Sequence, residues 1–305
     1  MPLNRNPSVT WLMVIAATFF WGSNFNAARA IAGQLPPLTA AAERFGIAVL
    51  VLMAMRGWQG RAESQLGGKD MFALCVLGLI GVFGFNTAFF TALRTTSALN
   101  AALIMALSPL VTNLLSVWLL RASISGLQLL GIGIAFGGVA LVITGGNLAV
   151  VHIAVGDLWM LAACLAWSFY SVLVRKYAAH IPSAQQARWT VSAGATALIL
   201  LALVHDQPLA LIVKESASTL LILLYMATCG TVLAYLFWLR GIQELGPQRA
   251  VMAFNLVPVF TLLINLAVGQ LPQPIQFIGM ALVFAGVLIS SGWRPSWLAA
   301  KPLRV

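Results

Sequence analysis

Apolar residues run along this chain in blocks of about twenty, separated by short breaks punctuated by Pro or Gly. The blocks are 9–31, 38–56, 71–93, 97–120, 125–145, 156–177, 185–204, 217–239, 247–268 and 274–293. About 20 apolar residues cross the hydrocarbon of a bilayer. In lipid every backbone N–H and C=O needs an internal partner, so each block predicts a transmembrane helix. The two longest breaks, 57–70 and 205–216, hold much of the charge and leave no room for a separate soluble domain. The first block follows Arg5, and the segment Ala30–Gly33 resembles a signal-peptidase site. The block is longer than a leader's apolar core and has an internal counterpart, so it is read as the first membrane helix.

The blocks repeat. At an offset of 149, Ala101, Pro109, Thr112 and Leu114 return as Ala250, Pro258, Thr261 and Leu263. At 148, Gly131, Phe136, Gly138 and Val139 return as Gly279, Phe284, Gly286 and Val287. At 146, Ala16, Ala17, Trp21, Arg29 and Ala32 return as Ala162, Ala163, Trp167, Arg175 and Ala178. Arg44–Phe45 in the second block is echoed by Arg188–Trp189 in the seventh. A repeat at a nearly fixed offset dictates architecture. The expectation is an all-α integral membrane fold of ten transmembrane helices, built from one five-helix unit over 1–146 and a second over 147–305. Five is odd, so the second unit enters the membrane inverted.

Lys and Arg set the orientation. With the N-terminus in the cytoplasm, that side receives Arg5, Arg56, Arg61, Lys69, Arg121, Arg175, Lys176, Arg188, Arg240, Arg249, Arg294, Lys301 and Arg304. The other side receives only Arg29, Arg44, Arg94 and Lys214. Both termini are therefore expected in the cytoplasm. Inverted five-helix repeats are a transporter's construction, with the substrate site near the midplane between the halves.

Composition removes the alternatives. Hydrophobic residues make up 61% of the 305 and charged residues only 8%. Soluble domains carry roughly 25% charged residues. The net charge of +10 comes from cations spread singly between apolar runs, with no basic face for a nucleic acid. Cys75, Cys164 and Cys229 lie in separate apolar runs without metal-ligand spacing, and read as small buried hydrophobes. No metal or cofactor is expected.

Two five-helix halves, FFWGSNFNAARAI in the first helix, AERF in the second, TALRTTSALNAALIMALSPL across the third and fourth, and the echo GIQELGPQRAVMAFNLVPV together resemble EamA-family carriers of the drug/metabolite transporter superfamily. The branch they are most similar to is the YddG-type aromatic amino-acid exporters. The resemblance implies a ten-helix carrier in a bacterial inner membrane that moves amino acids or related metabolites out of the cell. It supplies no catalytic motif.

Trp21 and Trp167 are mid-helix and related by the repeat, whereas Trp11, Trp58, Trp118 and Trp293 lie near block ends, where the interface favours them. Two rings at symmetric midplane positions suit an apolar or aromatic cargo, or plain packing between halves. Asn24, Asn86, Tyr170, Tyr235 and Asn255 are polar at membrane depth. Uncompensated polar groups in hydrocarbon are costly, so these residues face the bundle interior, as substrate ligands or as links between helices. Pro109 and Pro258 lie mid-block, are expected to kink their helices, and are candidate hinges. Gly133 and Gly137 form a GxxxG that suits helix packing within one chain, hence a monomer.

Glu43 is the one acid well inside a block; His152, His180 and His205 lie in loops. A proton relay normally uses a carboxylate or histidine at depth. The expected mode is thus facilitated diffusion through a neutral cavity, with proton coupling through Glu43 as the alternative. An intramembrane enzyme would need a reactive constellation, and none is found. The runners-up are exporters of other metabolites or drugs, and a nucleotide-sugar or phosphometabolite exchanger. The latter needs a cavity cation, and every basic residue here can be placed at or near a helix end.

Overall fold

The computed structural model describes residues 7–59, 65–120, 125–146, 154–206, 216–245 and 253–290. Arg5, Arg61, Glu63, Arg121, His152, Lys214, Glu215, Arg249, Arg294, Lys301 and Arg304 lie outside them. The described residues are helical, with no strand among them. The first half comprises α1 (Pro7–Ile31), α2 (Pro37–Gln59), α3 (Gly68–Gly78), a π-helical turn at Leu79–Gly84, α4 (Phe85–Ala92), α5 (Ala98–Met105), α6 (Ser108–Leu120) and α7 (Gly126–Ile143). The second comprises α8 (Val155–Tyr177), α9 (Ser183–His205), α10 (Ala217–Ala227), a π-helical turn at Thr228–Leu233, α11 (Ala234–Leu245), α12 (Leu256–Ala267) and α13 (Pro274–Ser290). Among the described residues, seven helical stretches are long and apolar enough to cross a membrane, and three shorter apolar helices accompany them.

The elements recur as the residues do. The two π-helical turns are each six residues and 149 apart, and α3 and α10 are each eleven residues and 149 apart. Helices α2 and α9 are each 23 residues and start 146 apart. That register pairs Arg44 with Thr190, not with Arg188, so the Arg–aromatic echo does not mark equivalent positions.

Helices of one half pack on the other. Helix α1 lies against α11 and α12, and its counterpart α8 lies against α4 and α6; α2 pairs with α9 and α7 with α13. Small residues bring these backbones together. A Cβ at Gly138 would stand 2.8 Å from the Gly279 carbonyl and 2.8 Å from Leu282 Cβ. The expected GxxxG does not serve this contact, since nothing lies within 4 Å of a Cβ at Gly133 or Gly137. Those two are on a neighbouring face, and Gly138 is the residue turned toward α13. Large apolar side chains point outward, with Phe72 72%, Leu50 71% and Trp118 71% exposed, as suits a lipid-facing surface.

The ends of the bundle differ. At one end, side chains tie the halves together. Thr39 donates to Asp206 at 3.0 Å, Thr96 to Asp157 at 2.5 Å, Thr219 to Gln34 at 2.5 Å and Gln276 to Asn100 at 2.6 Å. Arg29 donates there to the Leu93 and Arg94 carbonyls. The opposite end has fewer such ties among the described residues: an exposed Asp70–His180 contact at 3.0 Å and a Thr10–Glu244 bond cross between the halves, and Arg240 pairs with Glu244 at 2.9 Å.

Each mid-block proline lies just after a break in its helical run. A turn at Ala106–Leu107 separates α5 from α6, and Pro109 is the second residue of α6. Pro258 is the third residue of α12, which follows a break at Asn255. A proline in the first turn lacks an N–H that would have no helical partner anyway, so it starts a new segment at little cost.

Candidate functional site

Between the halves lies a cavity of about 680 Å³, counting the space at its mouth. Helices α1, α2, α4, α5, α8, α9 and α11, both π-helical turns and Phe254 just before α12 contribute to its wall. Five of the residues expected at a site meet here: Trp21, Asn24, Asn86, Trp167 and Tyr235. Tyr235 stands between the two tryptophans, with its ring centroid 6.5 Å from each. Phe254 lies 5.5 Å from Trp21, and Phe85 lies 5.6 Å from Trp167. Edge and tilted contacts of this kind make a rigid apolar surface.

Tyr170 and Asn255 are not in the wall. Tyr170 is buried behind it, its ring 5.6 Å from that of Trp167 and packed under Gly81. Asn255 sits at the start of α12 with its Oδ1 buried and unbonded. Pro109 and Pro258 also lie outside the wall.

The π-helical turns set the polar geometry. A π turn is wider than an α turn and frequently marks a functional site. Gly81 and Val82 of the first turn and Gly230 and Thr231 of the second line the cavity. The absent side chain at Gly230 leaves the space that Asn24 fills, and a Cβ there would collide with the Asn24 amide. Thr231 donates its hydroxyl to the Met226 carbonyl at 3.1 Å, which leaves its oxygen lone pairs to accept.

What they accept is the largest departure from the sequence expectation. Arg44, placed at a helix end by the charge count, is 94% buried (6% exposed) and lines the cavity. Its Nε donates to Thr231 Oγ1 at 3.1 Å. Its guanidinium carbon lies 5.1 Å from the centroid of the Phe45 ring. Among the described residues it makes no other hydrogen bond and no ion pair, so its terminal nitrogens are unmet. A guanidinium does not lose its proton in a protein. The neutral cavity expected from the sequence is therefore a cationic one. Among the described residues no Asp or Glu lines it, and Glu43, beside Arg44 in α2, is outside the wall.

Two acceptors are unmet as well. Asn86 donates Nδ2 to the Val82 carbonyl at 2.8 Å, and its Oδ1 has no partner. Asn24 Oδ1 has none either. Asn24 and Asn86 are 4% and 1% exposed, so bulk water does not serve them. Buried amides left in this state cost on the order of 1–3 kcal/mol each. The cavity therefore presents an unmatched cationic donor and two unmatched neutral acceptors inside an aromatic shell.

Arg44 had a signal in the sequence. It is the seventh residue of the block 38–56, a full turn and more inside. Gly81 with Gly230, and Met105 with Phe254, are further cavity pairs at the 149 offset.

This is a multi-pass membrane protein, and the chain belongs to the EamA-like transporter family, whose signature matches it over residues 9–144 and again over 154–292. The uncharacterized transporter YyaM of Bacillus subtilis is 38% identical over 286 residues, spanning 92% of this chain and 93% of that protein. An uncharacterized transporter of Archaeoglobus fulgidus is 27% identical over 288 residues, 93% of this chain and 98% of that one. A probable terminal-alkyne amino-acid exporter of Streptantibioticus cattleyicolor is 24% identical over 282 residues, 92% of each. A crystal structure at 22% identity shares the fold, with a TM-score of 0.64 over 93% of this chain and 96% of that one.

Proposed function

We propose that this chain exports amino acids with apolar or aromatic side chains, and related metabolites, from a bacterial cytoplasm across the inner membrane. The observation that carries this reading is the cavity: aromatic rings for a side chain, and unmatched polar groups of both kinds for a backbone. The amino-acid exporter among the relatives supports the same class. The chain crosses ten times as two inverted five-helix repeats, 1–146 and 147–305, with both termini in the cytoplasm. The two separate family matches and the paired element lengths support that division. Pro109 and Pro258, each at a break in a helical run, are the flexing points, and a monomer suffices.

In that orientation the end tied by Thr39–Asp206, Thr96–Asp157 and Thr219–Gln34 is the outer face, closed. A second groove of about 510 Å³ shares Val191, Thr231 and Tyr235 with the cavity and extends to Met55 and Ala184, at the cytoplasmic end. The conformation is thus open to the cytoplasm, ready to load. Movement is facilitated diffusion by alternating access.

Counterflow in proteoliposomes tests the reading, with neutral, aromatic, cationic and phosphorylated solutes as the panel. Phenylalanine and leucine are expected to exchange, and exchange confined to phosphorylated or cationic solutes rejects an amino-acid carrier. Glu43→Gln should leave exchange intact; loss of substrate-coupled proton movement in that variant rejects facilitated diffusion. Cysteine labelling should find residues 57–70 and 175–184 on one face, and opposite faces reject the inverted repeat.

A further inference from the structure

The polar groups of the cavity are unequal. One is a full positive charge, Arg44, buried in a wall that no carboxylate shares among the described residues. The others, Asn24 Oδ1 and Asn86 Oδ1, are neutral. Burying a cation without a counter-ion is costly, and an anionic cargo recovers that cost on binding. The planar guanidinium fork matches a carboxylate with two parallel hydrogen bonds, and such charge-assisted bonds are roughly twice as strong as neutral ones. An ammonium finds only amide oxygens here, with no opposite charge to offset its desolvation.

We propose that Arg44 anchors the carboxylate of the cargo, so that the cavity takes apolar and aromatic monocarboxylates whether or not they carry an amino group. The inference rests on reading this cavity as the transport site. Thr231 holds Nε and fixes the plane of the fork, and is a positioning residue. The rings of Trp21, Trp167 and Tyr235 receive the apolar part. A single cation suits a singly charged carboxylate better than a doubly charged phosphate, which commonly calls for several cationic donors. Deaminated aromatic acids are then cargo in their own right, and the amines formed by decarboxylating aromatic amino acids are excluded.

The test is equilibrium binding to the purified full-length protein in detergent, by calorimetry, with phenylalanine, 3-phenylpropionate, phenethylamine and phenyl phosphate as probes. Phenylalanine and 3-phenylpropionate should bind within about tenfold of each other, and phenethylamine at least about 100-fold more weakly. Arg44→Gln should remove about 100-fold from both carboxylates and leave phenethylamine unchanged. Thr231→Val, which keeps the cation, should cost the carboxylates several-fold and the amine nothing; this second variant decides the matter if Arg44→Gln does not purify as a monodisperse protein.

Each failure points to a different error. Binding of 3-phenylpropionate without phenylalanine retains the anchor and removes the amino-acid reading. Binding of phenylalanine and phenethylamine alike, or full carboxylate binding by Arg44→Gln, overturns the anchor and retains the amino-acid reading. Tighter binding of phenyl phosphate than of 3-phenylpropionate overturns the carboxylate in favour of a phosphorylated cargo. Binding of neither carboxylate overturns both.

Discussion

The two halves of the chain carry nearly the same sequence of elements but not the same chemistry where they meet. Positions 24, 44 and 86 of the first half are Asn, Arg and Asn, and all three line the cavity. Their counterparts at the 146 and 149 offsets are Tyr170, Thr190 and Tyr235, of which only Tyr235 does. Trp21 and Trp167, and Gly81 and Gly230, are kept in both. Backbone spacing and the aromatic shell are thus shared, while the charge and the unmet amides belong to one side. The difference teaches that a duplicated scaffold need not give a symmetric site. Helix packing constrains residue size at the seam, but only the cargo constrains which half holds the polar groups.

The sharpest way to break this comparison is to mutate counterparts in parallel. Arg44→Gln should lower the transport efficiency for phenylalanine about 100-fold in counterflow, whereas Thr190→Val should change it less than about threefold. Equal losses would mean that the two sides serve alike.

Next come the glycines under the two counterparts Tyr170 and Asn24. A Cβ at Gly81 meets the Tyr170 ring near its root, while one at Gly230 meets only the far end of Asn24. A ring in a packed core cannot step aside as an amide can. Gly81→Ala should therefore lose about 2 kcal/mol of stability and Gly230→Ala about 1 kcal/mol or less, read as midpoint shifts on thermal unfolding in detergent. Gly230→Ala should still impair transport by turning the Asn24 amide.

Trp21→Ala and Trp167→Ala should each reduce transport by roughly tenfold with expression and fold intact, because each removes one side of the shell around Tyr235. Normal transport by both would take the pair out of the site. The smallest effect is expected from Tyr235→Phe, which keeps the ring between the tryptophans, at under about threefold.

Much of this was legible in the sequence. Most blocks of apolar residues located helices to within a few positions, because hydrocarbon imposes both their length and their backbone hydrogen bonding. Trp21 and Trp167 stand out as a mid-helix pair related by the repeat, and Asn24, Asn86 and Tyr235 as polar residues at depth, which lipid does not tolerate without a reason. Arg44 was missed because a cation a turn or two into a block reads equally as an interfacial residue reaching for water. Tyr170 lies behind the wall, because depth along a helix does not say which way a side chain points. Pro109 and Pro258 sit at breaks in their runs, and a run of apolar residues does not reveal where within it the backbone is broken.

The sequence by itself determined a membrane protein made of two like halves, since hydropathy and a fixed offset are properties of a string of residues. Only the tertiary structure decided that Gly138 rather than Gly137 joins α7 to α13, that a π turn presents Thr231 to Arg44, and that the cavity is charged. Those are questions of azimuth around a helix. A shift of one residue turns a side chain through about 100°, and only the packing of neighbouring helices fixes that angle.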